Sequence, residues 1–301
     1  MRQVSSYLGA APAATWAGCG AIGLWAFLAL LSRAAAEVPP LQLTAVSFAV
    51  SAAFGIAWLA AKGRLAELRQ RPLAWLHGVG GLFGFHALYF ASLARAPAAT
   101  ANLINYTWPL LLVLLSVAVL GFPLTWRHLL GTALALLGCA ALLGGGAAFP
   151  AGAAFGYALA AASAVVWASY SVLARRFREV PSGAVAGFCG ATAVLAAALH
   201  GATGAWVMPR PAAWAAMVAL GVGPVGAAFA LWDVGMKRGD PRLLGTLAFA
   251  TPVLSTLLLA AAGLAPFTAT TVLASMLVAA GGYVAAQGAG LTPPAPSAVP
   301  D

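Results

Sequence analysis

Ten apolar runs, each about long enough to cross a lipid bilayer, follow one another with little between them. They fall at 13–32, 41–61, 73–94, 98–119, 128–146, 152–173, 182–200, 212–235, 243–262 and 267–288. A membrane-spanning helix needs about 20 largely apolar residues. Lipid offers no hydrogen-bond partners, so each such run must satisfy its backbone internally, as a helix does. The composition agrees. Hydrophobic residues make up 62% of the chain and charged residues 7%, where a soluble domain carries about 25% charged residues. Six acids and fifteen bases cannot clothe a globule of 301 residues, so a soluble protein is excluded. The gaps between runs leave no room for a soluble domain. Residues 1–12 read as a cytoplasmic N-terminal segment, and residues 289–301, with Pro293, Pro294 and Pro296, as a disordered cytoplasmic tail. Arg33-Ala34-Ala35-Ala36-Glu37 has the small residues of a signal-peptide cleavage site, but the preceding run is long for a signal and has a counterpart later in the chain.

The formal net charge is +9. The bases do not form the clustered stripe that reads nucleic acid, so no nucleic-acid partner is expected. They sit in the gaps between runs and alternate by side. Arg2, Lys62, Arg64, Arg69, Arg71, Arg127, Arg175, Arg176, Arg178, Lys237, Arg238 and Arg242 fall on one side, and Arg33, Arg95 and Arg210 on the other. The positive-inside rule places the first set, and both chain ends, in the cytoplasm. The expected location is a bacterial-type inner membrane, crossed many times. Cys19, Cys139 and Cys189 each stand alone in an apolar run, so neither a disulfide framework nor a metal site is suggested, and no cofactor is expected.

The chain resembles itself at an offset of 142–143 residues. Trp25-Ala26 through Arg33 aligns with Trp167-Ala168 through Arg175, Arg95 with Arg238, and Pro109 with Pro252. Pro123-Leu124-Thr125 aligns with Pro266-Phe267-Thr268, and Gly138 with Gly281. Each copy holds five runs, the first over 13–146 and the second over 152–288. An odd number of spans puts the second copy in the membrane upside down. The predicted fold is therefore an all-α membrane protein of ten transmembrane helices in two inverted five-helix repeats. Such repeats belong to secondary transporters, whose substrate site lies near the midplane between the halves. The sequence leaves the oligomeric state open; a monomer is compatible with it.

Ten spans, two five-span halves and a proline in the fourth and ninth spans resemble the drug/metabolite transporter superfamily, EamA type. The segment Ala101-Asn102-Leu103-Ile104-Asn105-Tyr106-Thr107-Trp108-Pro109 resembles, more narrowly, the YddG-type aromatic amino acid exporters. Many members of the superfamily carry Gly-Glu after the fourth and ninth spans. This chain has Gly121-Phe122-Pro123 and Leu264-Ala265-Pro266 there. The resemblance implies an inner-membrane exporter of amino acids, aromatic and other neutral ones, whose partners are a small-molecule substrate and the bilayer.

Polar groups in the bilayer core are costly, so the few present are candidates for a pathway. Asn102, Asn105 and Pro109 share one helical stripe, with Tyr106 beside it and Trp108 about 100° from Pro109. The amides suit an ammonium and a carboxylate together, though amides also join helices to one another. Pro109 and Pro252 each remove a helix hydrogen bond and are the candidate hinges. Thr246, Phe249, Thr251 and Ser255 surround Pro252; of these Phe249 and Ser255 are taken as substrate-binding candidates. His86 and Tyr89 share a face of the third span, with Phe229 and Trp232 as counterparts. Trp167 and Tyr170 share a face of the sixth, with Trp25 as the counterpart of Trp167. Rings near midspan can wall a chamber by stacking and hold an ammonium by cation–π attraction; the same rings can instead pack on lipid or helices. His86 is suited to substrate or proton handling, or to a simple hydrogen bond. Asp233 stands four residues before Lys237, the spacing of a helical ion pair. With no midplane carboxylate, movement down the substrate gradient is expected. No catalytic motif is found, so an enzyme is not expected. Exporters of another small neutral metabolite or drug, a channel and a structural bundle are the alternatives.

Overall fold

The computed structural model describes residues 11–288. The expected disordered tail at 289–301 and nearly all of the N-terminal segment lie outside the described residues. Among the described residues there is no strand. In the order α1–α14, the helices are Pro12–Trp25, Leu28–Ala34, Pro40–Ala61, Pro72–Leu93, Ala98–Asn105, Trp108–Leu120, Trp126–Leu143, Ala154–Leu173, Ala184–Thr203, Pro211–Leu220, Ala228–Arg238, Pro241–Ala248, Ala250–Ala261 and Ala269–Gly288. Pro12, Pro40, Pro72, Pro211 and Pro241 each open a helix, where a missing N–H costs nothing and the fixed φ is already helical.

Nine helical stretches among the described residues are long and apolar enough to cross a membrane. Helix α4 equals them in length at 22 residues. His77, His86, Tyr89, Trp75 and four glycines dilute its apolarity. Helices α1 and α2 form one stretch broken at Ala26–Phe27, α5 and α6 one broken at Tyr106–Thr107, and α12 and α13 one broken at Phe249. Pro109 and Pro252 each lie three residues past a break. A proline has no N–H for the carbonyl four residues back and collides with it, so the ladder parts at Asn105 and at Ala248. Between α10 and α11 a π-helical turn, Gly221–Ala227, contains Pro224. The sequence reading took runs 13–32 and 212–235 as continuous. The break at Ala26 has no proline or glycine to announce it, and Pro224 marks the turn that reading passed over. Gly121 and Gly263 end their helices at φ +72° and +69°, a left-handed conformation that favours glycine.

The two halves pack on one another, α3 and α7 each on its own counterpart, α1 and α4 each on the counterpart of the other. Helix α7 lies on α14, α3 on α9, α4 on α8, α1 on α11 and α6 on α12. The pairs α7–α14, α3–α9 and α1–α11 run antiparallel, as the close approaches show. A Cβ at Gly131 would strike the Gly281 carbonyl and one at Gly281 the Gly131 carbonyl, while Gly138 faces Ala274. Gly55 meets Ala186 and Gly190 meets Ala52; Gly18 meets Gly235 and Gly239 meets Thr15. Small residues let these helices touch backbone to backbone. The connections pair as well. Glu37 holds Arg210 at one end of the bundle, and Arg71 holds Glu179 at the other. Large apolar side chains such as Trp16, Phe54, Leu76, Phe155 and Val194 lie on the outside.

Candidate functional site

Where α1 ends, α6 begins, and α8 and α11 pass the middle, four tryptophans meet. Trp25, Trp108, Trp167 and Trp232 are 5%, 6%, 4% and 1% exposed, so this is the interior of the bundle. Trp25 is the hub, with ring centroids 6.5 Å from Trp108, 5.8 Å from Trp167, 6.2 Å from Phe229 and 5.0 Å from Trp232. Trp108 stands edge-on to Trp167 at 6.2 Å and to Trp232 at 5.9 Å. These edge-to-face contacts set the positive rim of one ring against the negative face of the next. Two indole N–H groups have partners. Trp25 Nε1 donates to the Pro224 carbonyl at 3.0 Å, within the π-helical turn, and Trp232 Nε1 donates to Ser171 Oγ at 3.0 Å. Two of the rings come from the first half and two from the second.

The aromatic wall extends along α4 and α8. Trp167 touches Tyr170 at 5.4 Å and Phe85 at 5.1 Å, and Phe85 stacks on Tyr89 at 5.8 Å with planes 4° apart. Tyr89 Oη donates to Asn102 Oδ1. Asn105 Nδ2 donates to Ser163 Oγ at 2.7 Å, and Ser163 Oγ donates to the Ala160 carbonyl at 2.7 Å. Ser163 stands one turn before Trp167 on α8, so the amide stripe and the tryptophan cluster adjoin. His86 Nδ1 lies 2.7 Å from the Leu82 carbonyl on its own helix and so carries the proton, leaving Nε2 as an acceptor when the ring is neutral. Phe48 and Phe85, each at 5.0 Å, and Phe229 at 6.4 Å surround that ring.

The structure thus brings Trp25, Trp108, Trp167, Tyr170, Tyr89, Asn102, Asn105 and His86 into one connected region. Tyr106 and Phe249 lie in a second cluster with Cys139 and Val253, between α7, α13 and α14. One residue along a helix turns about 100°, which carries Tyr106 off the stripe of Asn105. Ser255 is buried on α13 and makes no hydrogen bond among the described residues. Pro109 and Pro252 are buried just past their helix breaks. At the tryptophans the halves close on one another, while His86, Tyr89 and Asn102 beside them are only half-buried. Open apolar grooves on the outside, beside Ala45, Ala49, Val194 and Trp206 and beside Gly23, Phe27 and Leu257, lie elsewhere. Sequence reasoning missed Phe48, Phe85, Ser163 and Ser171. Ser163, Trp167 and Ser171 recur every four residues on α8, a stripe that a search for small polar residues flanking a mid-helix tryptophan would have found.

A cluster of charged groups lies at the end of the bundle that carries Arg71 and Glu179. Lys237 Nζ sits 2.6 Å from Asp233 Oδ2, the expected pair, and also donates to the Val180 carbonyl, while Ser182 Oγ donates to the same carboxylate. Asp240 caps α12 and pairs with Arg242 at 2.7 Å. Arg175 Nη1 donates to the Gly239 carbonyl at 2.8 Å, and the Arg175 and Arg242 guanidinium groups lie 4.9 Å and 5.0 Å from the Phe122 ring. These contacts join both halves at one end.

Comparison with known proteins agrees with this architecture. The EamA-like transporter family matches residues 12–144 and again 154–286, two copies beginning 142 residues apart. A curated relative from Ancylobacter novellus, the aromatic amino acid exporter YddG, is 49% identical over 276 residues, spanning 90% of this chain and 96% of its own. A protein of the same name from Salmonella typhimurium is 25% identical over 270 residues, spanning 82% of this chain and 87% of its own. A solved crystal structure superposes with a TM-score of 0.89 at 48% identity, covering 93% of this chain and 98% of that one. Two family matches that between them take in nearly every described residue make this chain a member of the EamA-like transporter family.

Proposed function

We propose that this protein exports amino acids, aromatic and other neutral ones, across an inner membrane by alternating access. Helix α4 is then the third span and brings the total to ten, the two five-span halves are inverted relative to one another, and both chain ends face the cytoplasm. The antiparallel packing of two counterpart pairs, α3 on α9 and α7 on α14, supports the inversion. The relative named an aromatic amino acid exporter supports the substrate class.

The observation that carries this reading is the buried, uncharged site of tryptophans and amides shared by the halves. Aromatic walls favour flat side chains by stacking, and the amides and His86 supply donors and acceptors for a zwitterion. Lysine and arginine are absent from midspan, as suits cargo without a phosphate. The breaks before Pro109 and Pro252 lie at equivalent places in the halves, so bending there would open the cluster toward one side and then the other. Transport involves no covalent step. Asp233 is taken up by Lys237 and Ser182, which leaves no unpaired acid near the site to carry a coupling proton, so the substrate gradient drives movement.

The test is counterflow of labelled phenylalanine or tryptophan in liposomes holding purified protein. Saturable counterflow is expected, reduced at least about tenfold by Trp108→Ala or Trp167→Ala with a normal elution profile on gel filtration, since each truncation removes a large buried contact area. Counterflow unchanged in both variants would remove the site. Flux that never saturates would make the protein a channel, and flux that follows an imposed pH gradient would replace uniport by proton coupling.

A further inference from the structure

Two amides stand three residues apart on α5, and their neighbours have already used opposite ends of them. Asn102 spends its carbonyl oxygen on the Tyr89 hydroxyl, so its Nδ2 group retains both hydrogens and makes no hydrogen bond among the described residues. Tyr89 is held in place by stacking on Phe85. Asn105 is the reverse. Ser163 gives its only hydrogen to the Ala160 carbonyl and can only accept from the amide, so Asn105 must turn its Nδ2 to Ser163. Its Oδ1 is left as an acceptor with no partner among the described residues, although the residue is only 5% exposed. A second acceptor lies beside it. The main-chain carbonyl of Asn105 faces a residue four further on that has no N–H, Pro109. Asn105 also ends α5, where helix carbonyls gather partial negative charge.

We propose that these two amides give the substrate a fixed polarity: Asn105 takes the α-ammonium through Oδ1, Asn102 takes the α-carboxylate through Nδ2, and the side chain lies against the tryptophans. Ser163 and Tyr89 are positioning residues that decide which amide does which. This rests on the amino acid reading above. It goes beyond it by assigning the two charged groups to two named atoms and by predicting which substrate analogues are refused.

The experiment is competition against labelled phenylalanine uptake in liposomes with two analogues. Phenylalaninamide keeps the ammonium and lacks the carboxylate; 3-phenylpropionate keeps the carboxylate and lacks the ammonium. The protein is expected to prefer phenylalanine over each by about tenfold or more, the loss of one hydrogen bond to a charged group. In Asn105→Leu the preference over 3-phenylpropionate falls to within about twofold, while that over phenylalaninamide stands. In Asn102→Leu the pattern reverses. Asn102→Asp, which keeps the shape of the side chain, guards against misfolding; its carboxylate repels that of phenylalanine, so phenylalaninamide becomes the better competitor. Ser163→Ala releases the Asn105 amide to rotate and lowers only the preference over 3-phenylpropionate, and Ser163→Thr restores it. Variants at Asn102 and Asn105 that shift both preferences equally, or that exchange the predicted patterns, overturn the assignment while the export function stands. Absence of saturable phenylalanine uptake by the unaltered protein overturns the export reading and this assignment together.

Discussion

Lys237 and Asp233 sit one helical turn apart on α11, 5% and 7% exposed at the side chain, with the Val180 carbonyl and the Ser182 hydroxyl completing the pair. A buried pair of this kind is more costly to break than to replace, because removing one partner strands the other charge. Lys237→Met is therefore expected to destabilise the protein by about 3–5 kcal/mol, and the double variant Asp233→Leu with Lys237→Met to recover most of that loss. Thermal unfolding in detergent checks it; a double variant no better than the single one would contradict the pairing. Ser171 is a smaller case. Ser171→Ala leaves the buried Trp232 N–H without its acceptor and should cost about 1–3 kcal/mol by the same measurement. The ion pair was legible in the sequence, since four-residue spacing on a helix is a local property. The Ser171 bond was not, because 61 residues separate it from Trp232.

At the scale of elements, the close helix pairs rest on glycines that admit no Cβ. Gly131→Val is expected to separate α7 from α14 and lower the melting temperature, with Gly281→Val causing a similar fall, because each glycine meets the other's carbonyl. A fall for one and not the other would contradict the reciprocal packing. The connections make a pH-dependent contribution. Arg210 donates its backbone N–H, and then its side chain, to Glu37, and so holds that carboxyl below its ordinary range. A lowered folded-state value means the clasp stabilises the protein above the unfolded carboxylate value of about 4.3 and loses that contribution as the pH falls through the folded value. Melting temperature against pH should therefore drop below about pH 4 in the unaltered protein and less steeply in Glu37→Gln. The prolines that part the fourth and ninth spans were visible from sequence because a proline carries its effect with it. The break at Ala26 was not, for no residue there forces it.

For the molecule as a whole, the proposed inversion predicts which connections share a side. Single cysteines replacing Arg64 and Arg178 should react with a membrane-impermeant thiol reagent only from the cytoplasmic side, and one replacing Met208, 88% exposed in the connection before α10, only from the opposite side. Labelling of all three from one side would end the inverted reading. The packing of α1 on α11 and of α6 on α8 joins the two halves where Trp25 and Trp108 meet Trp167 and Trp232.

Hydropathy, proline positions, charge alternation and the offset between the halves are properties of neighbouring residues or of a repeated text, and they are enough to predict a helical membrane protein made of two copies of one unit. They also point to Trp25, Tyr89, Asn102, Asn105, Trp108, Trp167 and Tyr170, since polar and aromatic groups are conspicuous in an apolar run. Which of those residues touch is a different kind of fact. The partners of Trp25 lie 83 to 207 residues away, and Phe48, Phe85 and Ser163 look like ordinary helix residues until folding sets them beside the others. Only the packed structure settles those contacts, because each depends on the register and rotation of two helices together, a quantity that neither helix encodes alone.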